Sequence, residues 1–466
     1  MKAIIPVIDE NSTRPYYLQL YDYIKNAVIS GEVSANEKLP SLRSLSKHLK
    51  LSLTTITLAY SQLSVEGYIY SKPNSGFFAS NIAFAQTPIK SEDFSAFGFS
   101  ELHLEPEPFP YQHDLSSFNF NKWKKCFNRV LTDYSHLLLS ESEPQGEYAL
   151  RHEISKYLYL SRGVTCSPLQ IIIGAGTQQI TGQLSLLLTK MSISHVTMED
   201  PCYLPVKNIF RDRGFAISSV PVSANGIDIS RLPTKIKSAV YVCPSNQFPT
   251  GAVMPVGKRY ELLDWASQND SIIIEDDYDS ELRYFGKPIP ALKGIETNKS
   301  VVYLSSFSST LFPSIKISYM VLPESLAKVF DDLKNDYTQT CSKAEQLTLA
   351  LFMENGYYQA NIRKLRSLYS QKLTAVKNAI SKYAHSFIVP SGTSSGVNMI
   401  VNVKSTKPAT ILCEEARRLG LIMTPISAYT DDVKGNTQSL VFYYNQIPVE
   451  AIDDVVKRLA NAWQRV

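Results

Sequence analysis

Apolar residues recur at three-to-four spacing through positions 12–80. Leu18, Tyr21, Ile24, Val28 and Ile29 share one helical face, and Gly31 supplies a stop signal. After Pro40, Ser41 is placed to cap a second, short helix. Leu42, Leu45 and Leu49 form its apolar stripe, while Arg43, Lys47, His48 and Lys50 stand elsewhere. Ser52 caps a third helix with Ile56, Tyr60 and Leu63 inward. Past Gly67, two β-prone runs at 68–71 and 76–79 flank Lys72-Pro73-Asn74-Ser75, the pattern of a hairpin. Three helices and a hairpin make a winged helix-turn-helix. From 81 to 115 the periodicity fades, and Glu105-Pro106-Glu107-Pro108-Phe109-Pro110 reads as an extended spacer. From Ser116 onward, β-rich apolar runs at 171–173, 239–243, 271–274 and 301–304 alternate with helical segments. That alternation predicts βα units around a mainly parallel sheet. The pattern divides the chain into 12–80, a linker at 81–115, and 116–466.

Composition narrows the class without changing this picture. The 466 residues are 44% hydrophobic and 19% charged, which excludes disordered, collagenous and low-complexity chains. A net charge of +4 is too small for a general polyanion binder, so any nucleic-acid contact must come from a local patch. The six cysteines lie far apart with no zinc spacing, and read as buried free thiols. The first residues lack a signal-peptide core and no run approaches a membrane span, so a cytoplasmic location is expected.

The strings Lys38-Leu39-Pro40-Ser41-Leu42-Arg43-Ser44-Leu45-Ser46, Leu51-Ser52-Leu53-Thr54-Thr55-Ile56, Glu66-Gly67-Tyr68 and Ser75-Gly76-Phe77 resemble the GntR-type DNA-binding domain. The resemblance implies binding to double-stranded operator DNA. Ser52, Thr54 and Thr55 open the helix that faces the major groove, and Arg43 and Lys47 set register on phosphates. Ser75 and Gly76 fall at the wing. The family usually has Arg where this chain has Leu53, which alters the contact or the base read there. One module offers one half-site, so useful affinity favours a dimer.

The second region resembles fold-type I aminotransferases, in the fused-regulator form called the MocR type. The matching strings are Gly146-Glu147-Tyr148-Ala149-Leu150-Arg151, Ile173-Gly174-Ala175-Gly176-Thr177-Gln178-Gln179, Glu199-Asp200-Pro201-Cys202-Tyr203, Pro244-Ser245-Asn246-Gln247-Phe248-Pro249-Thr250-Gly251 and Glu275-Asp276-Asp277-Tyr278-Asp279-Ser280-Glu281. The implied architecture is an N-terminal winged helix-turn-helix (α+β), a linker, and an α/β aminotransferase-like domain with a smaller C-terminal α+β subdomain. In the family these strings surround pyridoxal 5′-phosphate. Gly176, Thr177 and Gln178 would approach its phosphate at a helix start. Tyr203 would stack on its ring, Asp276 would hold its ring nitrogen protonated, and Tyr278 would lie beside its phenolic oxygen. Asn246 stands where MocR-type proteins usually show His.

The resemblance breaks at the residue that carries the chemistry. The family motif Ser-Phe-Ser-Lys-Thr-Leu, whose Lys forms the Schiff base, reads Ser306-Phe307-Ser308-Ser309-Thr310-Leu311 here. A hydroxyl at Ser309 forms no imine and offers no amine base. Three changes accompany it: Lys316 replaces the phosphate-binding Arg, Ser318 replaces a Gly, and Val441 falls at the Arg that grips a substrate carboxylate. The expected protein is a cytoplasmic DNA-binding regulator and not an enzyme. Its aminotransferase-like domain forms a head-to-tail homodimer and senses a small-molecule effector, with pyridoxal phosphate bound non-covalently or not at all. A preformed adduct of the cofactor with an amino acid is disfavoured by Val441. The alternative is an aminotransferase that uses a non-standard lysine, for which Lys316 is the candidate.

Overall fold

The computed structural model describes residues 8–9, 12–81, 116–284, 289–392, 395–431 and 438–464. Apart from Asn81, the spacer expected at 81–115 lies outside them. The chain forms two compact units, 1–104 and 105–466, each taken by itself below.

In the smaller unit, α1 (Tyr16–Ile29), α2 (Leu42–Leu49) and α3 (Leu53–Val65) precede the antiparallel hairpin of β1 (Ile69–Lys72) and β2 (Gly76–Ala79). Leu20, Ile24, Ile56, Ala59 and Leu63 are wholly buried at its centre. Both expected caps form: Ser41 Oγ accepts from the Ser44 N–H at 3.2 Å and Ser52 Oγ from the Thr55 N–H at 3.1 Å. Each satisfies a helix N–H that has no partner within the helix. On α2 only Leu45 is fully buried, while Leu42 and Leu49 pack at the edge of the core. The first β run starts one residue later than its pattern suggests. The Tyr68 N–H bonds the Leu63 carbonyl at 2.9 Å, which ties Tyr68 to the end of α3. Gly67, at φ +80°, makes that reversal.

The larger unit begins with α4 (Phe120–Asp133) and α5 (Tyr148–Arg162). Its main sheet comprises β3 (Ile171–Ala175), β4 (His195–Asp200), β5 (Ala216–Ser223), β6 (Gly226–Ile227), β7 (Ala239–Val242), β8 (Ile272–Asp276), β9 (Val301–Ser306) and β10 (Ile317–Val321). Between β3 and β4 lies α6 (Gly176–Lys190). The spatial order is β3-β10-β9-β8-β7-β4-β5-β6. The central pairs are parallel, as the alternating pattern predicts, but β10 runs antiparallel to both β3 and β9, and β6 folds back on β5. Every residue of β7, β8 and β10 is buried. Strands covered on both faces read as continuous apolar runs, so their direction leaves no mark in the sequence.

A second, antiparallel sheet orders β11 (Ile388–Ser391), β12 (Met399–Val403), β14 (Ser439–Phe442) and β13 (Met423–Pro425). The 27-residue helix Tyr357–Tyr383 ties the two sheets together. Its Tyr358 and Ile362 belong to the core beside the main sheet, and its Leu373, Val376 and Ile380 to the core beneath the second. Among the described residues no helix is long and apolar enough to cross a membrane.

Candidate nucleic-acid interface and ligand cavity

The small unit exposes the residues expected at DNA. Arg43 and Lys47 are exposed on α2, Ser52 and Thr54 open α3, and Ser75 and Gly76 lie exposed at the hairpin turn. Thr55 is half-buried, and its hydroxyl lies 2.8 Å from that of Ser52. These two hydroxyls are therefore engaged in the cap and with each other. The α3 sequence, Leu53 through Val65, contains no charged residue. Cations near these residues sit instead on α2, at Lys38 beside Gly76, and at Lys72, whose ammonium lies 4.7 Å from the Phe78 ring centre.

In the large unit, a cavity of about 280 Å³ opens where the carboxyl ends of β7, β8 and β9 meet the start of α6. Parallel strands end in carbonyls and loops there, and helix N-termini point inward, which makes this edge the ligand-binding edge of α/β sheets. Asp276, the last residue of β8, lies in the cavity wall and accepts a hydrogen bond from the Tyr241 hydroxyl of β7. Burial pushes its carboxyl up to about 7. The Tyr241 hydrogen bond works against that rise and the neighbouring Asp277 charge adds to it. Tyr203 stands at the rim with its ring 5.8 Å, edge to face, from Phe248. Phe248 also meets Tyr429 at 5.1 Å and Tyr278 at 6.3 Å. Burial holds the Tyr278 phenol protonated by raising it well above its ordinary value.

Thr177, Ser306, Ser308 and Ser309 add hydroxyls to the lining. The Ser309 hydroxyl donates to the Tyr278 carbonyl at 2.6 Å, and the Ser308 N–H donates to Ser306 Oγ at 3.3 Å. Thus Thr177, Tyr203, Asp276, Tyr278, Ser306, Ser308 and Ser309 come together as anticipated. Four other candidates do not line the cavity. Gly176 is buried beneath the Lys316 side chain, where an added Cβ would lie 3.8 Å from Lys316 Cδ. Lys316 itself is exposed in a left-handed turn at φ +47°. Gln178, in the first turn of α6, lines a separate recess with Gln179 and Arg213. Asn246 sits behind Tyr278: its amide donates to both Asp279 carboxyl oxygens at 3.0 and 2.8 Å and to the Tyr278 hydroxyl at 3.2 Å.

Cys243, Phe248, Val397, Asn398, Tyr429 and Tyr443 also line the cavity. They come from loops far apart in the chain, and single aromatic or small residues in loops carry no periodic signal. Val441 is wholly buried with Ile400 and Ile426, backing Tyr429 and Tyr443. An apolar cluster thus occupies the position expected of a carboxylate-gripping cation. Ser318 is buried on β10, and its hydroxyl has no hydrogen-bond partner among the described residues.

The residue chemistry fits pyridoxal 5′-phosphate in part. Asp276 suits a protonated ring nitrogen, Tyr203 a ring face, and the hydroxyls with the first N–H groups of α6 suit a phosphate. No amine lines the cavity among the described residues.

Comparison with known proteins agrees with both halves. Residues 16–79 match the gntR family of bacterial regulatory proteins, and residues 111–432 match aminotransferase class I and II. The chain is 37% identical to the uncharacterized HTH-type transcriptional regulator YdeL of Bacillus subtilis, over 99% of both chains. It is 28% identical to the pyridoxine biosynthesis transcriptional regulator PdxR of Corynebacterium glutamicum, over 95% of each, and 26% identical to the probable rhizopine catabolism regulatory protein MocR of Rhizobium meliloti, over 90% and 88%. Among solved structures, the kynurenine aminotransferase of Pyrococcus horikoshii shares the fold with a TM-score of 0.66 at 22% identity, covering 75% of this chain and 88% of that one. The chain belongs to the MocR-type transcriptional regulators, in which a gntR-family DNA-binding domain is fused to an aminotransferase class I and II domain.

Proposed function

We propose that this protein regulates transcription through a large unit that binds a ligand without turning it over. The small unit, residues 12–80, binds operator DNA in the cytoplasm. The linker at 81–115 joins it to a dimerising effector domain at 116–466, in a head-to-tail homodimer. The observation that carries this reading is Ser309, whose hydroxyl lines the cavity and is hydrogen-bonded to the Tyr278 carbonyl. An alcohol neither forms an imine with an aldehyde nor takes up the proton that transamination must move. A sensor needs only different affinity for two states of the protein, and it needs no lysine for that.

Pyridoxal 5′-phosphate, when bound, supplies an electron-accepting ring. Asp276 would hold a proton at the ring nitrogen, Tyr203 would cover one face, and Thr177, Ser306 and Ser308 would donate to the phosphate. Retention rests on these contacts alone, so binding is non-covalent. The test is to treat purified protein with pyridoxal phosphate and borohydride, and to analyse both the peptides and the denatured supernatant by mass spectrometry. Free cofactor in the supernatant with unmodified peptides supports the proposal. Cofactor mass fixed to Lys316 together with amino-group transfer overturns it in favour of an enzyme. A supernatant with no cofactor leaves the large unit as a scaffold and overturns the pyridoxal phosphate assignment.

A further inference from the structure

We infer that α3 reads thymine methyl groups, with Leu53 as a specificity-determining residue, so that the preferred operator half-site is A·T-rich at the bases beneath the first turns of this helix. The inference rests on the DNA-binding role of the small unit. Leu53, Thr54, Thr57, Leu58, Ser61 and Val65 are the exposed positions of one helical face, opposite the buried Ile56, Ala59, Tyr60 and Leu63. Leu53 is 46% exposed and Leu58 50%. No charged residue lies anywhere on this helix. The Thr57 hydroxyl donates to the Leu53 carbonyl at 2.8 Å, which engages the polar end of that side chain within the helix.

The chemistry of the groove then selects the partner base. Guanine is commonly read by the paired donors of Arg or Lys, and adenine by Asn or Gln. The exposed face of α3 offers no Arg, Lys or Asn, and the half-buried Gln62 beside it donates its amide to the Glu66 carboxylate at 3.1 Å. That face offers apolar carbon and hydroxyl groups, and the apolar feature of the major groove is the thymine C5-methyl. Three exposed apolar side chains on one helical face, Leu53, Leu58 and Val65, could equally meet a protein partner. The exposed cations of α2, Arg43 and Lys47, favour a polyanion instead.

The test uses the full chain. Duplexes enriched from a random library are resynthesised with deoxyuridine in place of thymidine, which removes only the methyl group. Binding should weaken roughly fourfold for each contacted thymine, the worth of one buried methyl group. Leu53→Ala should lose this discrimination at one base step while keeping the wild-type salt dependence, because the phosphate contacts are untouched. Leu53→Arg should move selection toward guanine at that step. Leu53 is exposed, and unchanged circular dichroism of both variants would show that the helix persists. Equal binding of the deoxyuridine duplexes, or enrichment of guanine by the unaltered protein, overturns the inference while leaving DNA binding intact. Failure to enrich any duplex removes the DNA-binding role itself and this inference with it.

Discussion

The turn after β9 is held at Ser309 by the 2.6 Å hydrogen bond to the Tyr278 carbonyl. Ser309→Lys alone should leave transamination at the background of the unaltered protein, measured by keto-acid formation. The substrate end of the cavity is still backed by the buried Val441, and Lys316 still faces solvent. Asp276 sets a second expectation. Its carboxyl titrates near 7 when folded and near 3.8 when unfolded, so between those values the folded protein holds a proton that the unfolded chain has released. Stability therefore falls as pH rises through that window, by up to about 4 kcal/mol from this group. Asp276→Asn should flatten the slope of urea midpoint against pH. It should not abolish it, because burial also raises Glu199 to about 7 and Glu281 to about 6. Matched strings brought Tyr203, Asp276 and Tyr278 to notice. Asn246 shows the limit of that reading: Phe248, two residues on, lines the cavity, but the Asn246 amide turns to Asp279 and to the Tyr278 hydroxyl behind the wall.

At the scale of elements, the caps were the most readable feature. Ser41 and Ser52 announce α2 and α3 because a hydroxyl before an apolar stripe has one favourable use. Strand direction was not readable. β10 lies antiparallel between β3 and β9 but is buried along its whole length like the parallel strands β7 and β8. Elements also lean on buried charge that periodicity does not reveal. The Arg162 guanidinium at the end of α5 lies 2.7 Å from the Asp277 carboxylate just past β8, and both side chains are nearly inaccessible. Tyr303 and Ser280 donate to the same oxygen at 2.6 and 2.9 Å. Asp277→Ala leaves the Arg162 charge buried without its counter-ion, and should cost about 3–5 kcal/mol in denaturant unfolding. Asp277→Asn should cost less, because it keeps the hydrogen-bonding shape.

At the scale of the molecule, the two units have separate cores, one around Leu20 and Ile56 and the others around the two sheets. Arg43→Ala should weaken operator binding and lower its salt dependence by roughly one ion while leaving the near-ultraviolet dichroism of the large unit unchanged. Unaltered binding would show that α2 does not meet the phosphates. The division into modules was legible because the periodicity changes from helical stripes to alternating βα runs. The cavity's outer wall was not, because Phe248, Tyr429 and Tyr443 are drawn together by loops around a fold whose contacts span hundreds of residues. A chamber with no amine on its described walls offers a carbonyl guest no imine. A visitor held by contacts alone would leave as fast as they let go, so its occupancy would follow supply from moment to moment. A switch built that way would notice scarcity as promptly as abundance and would carry no record of past exposure.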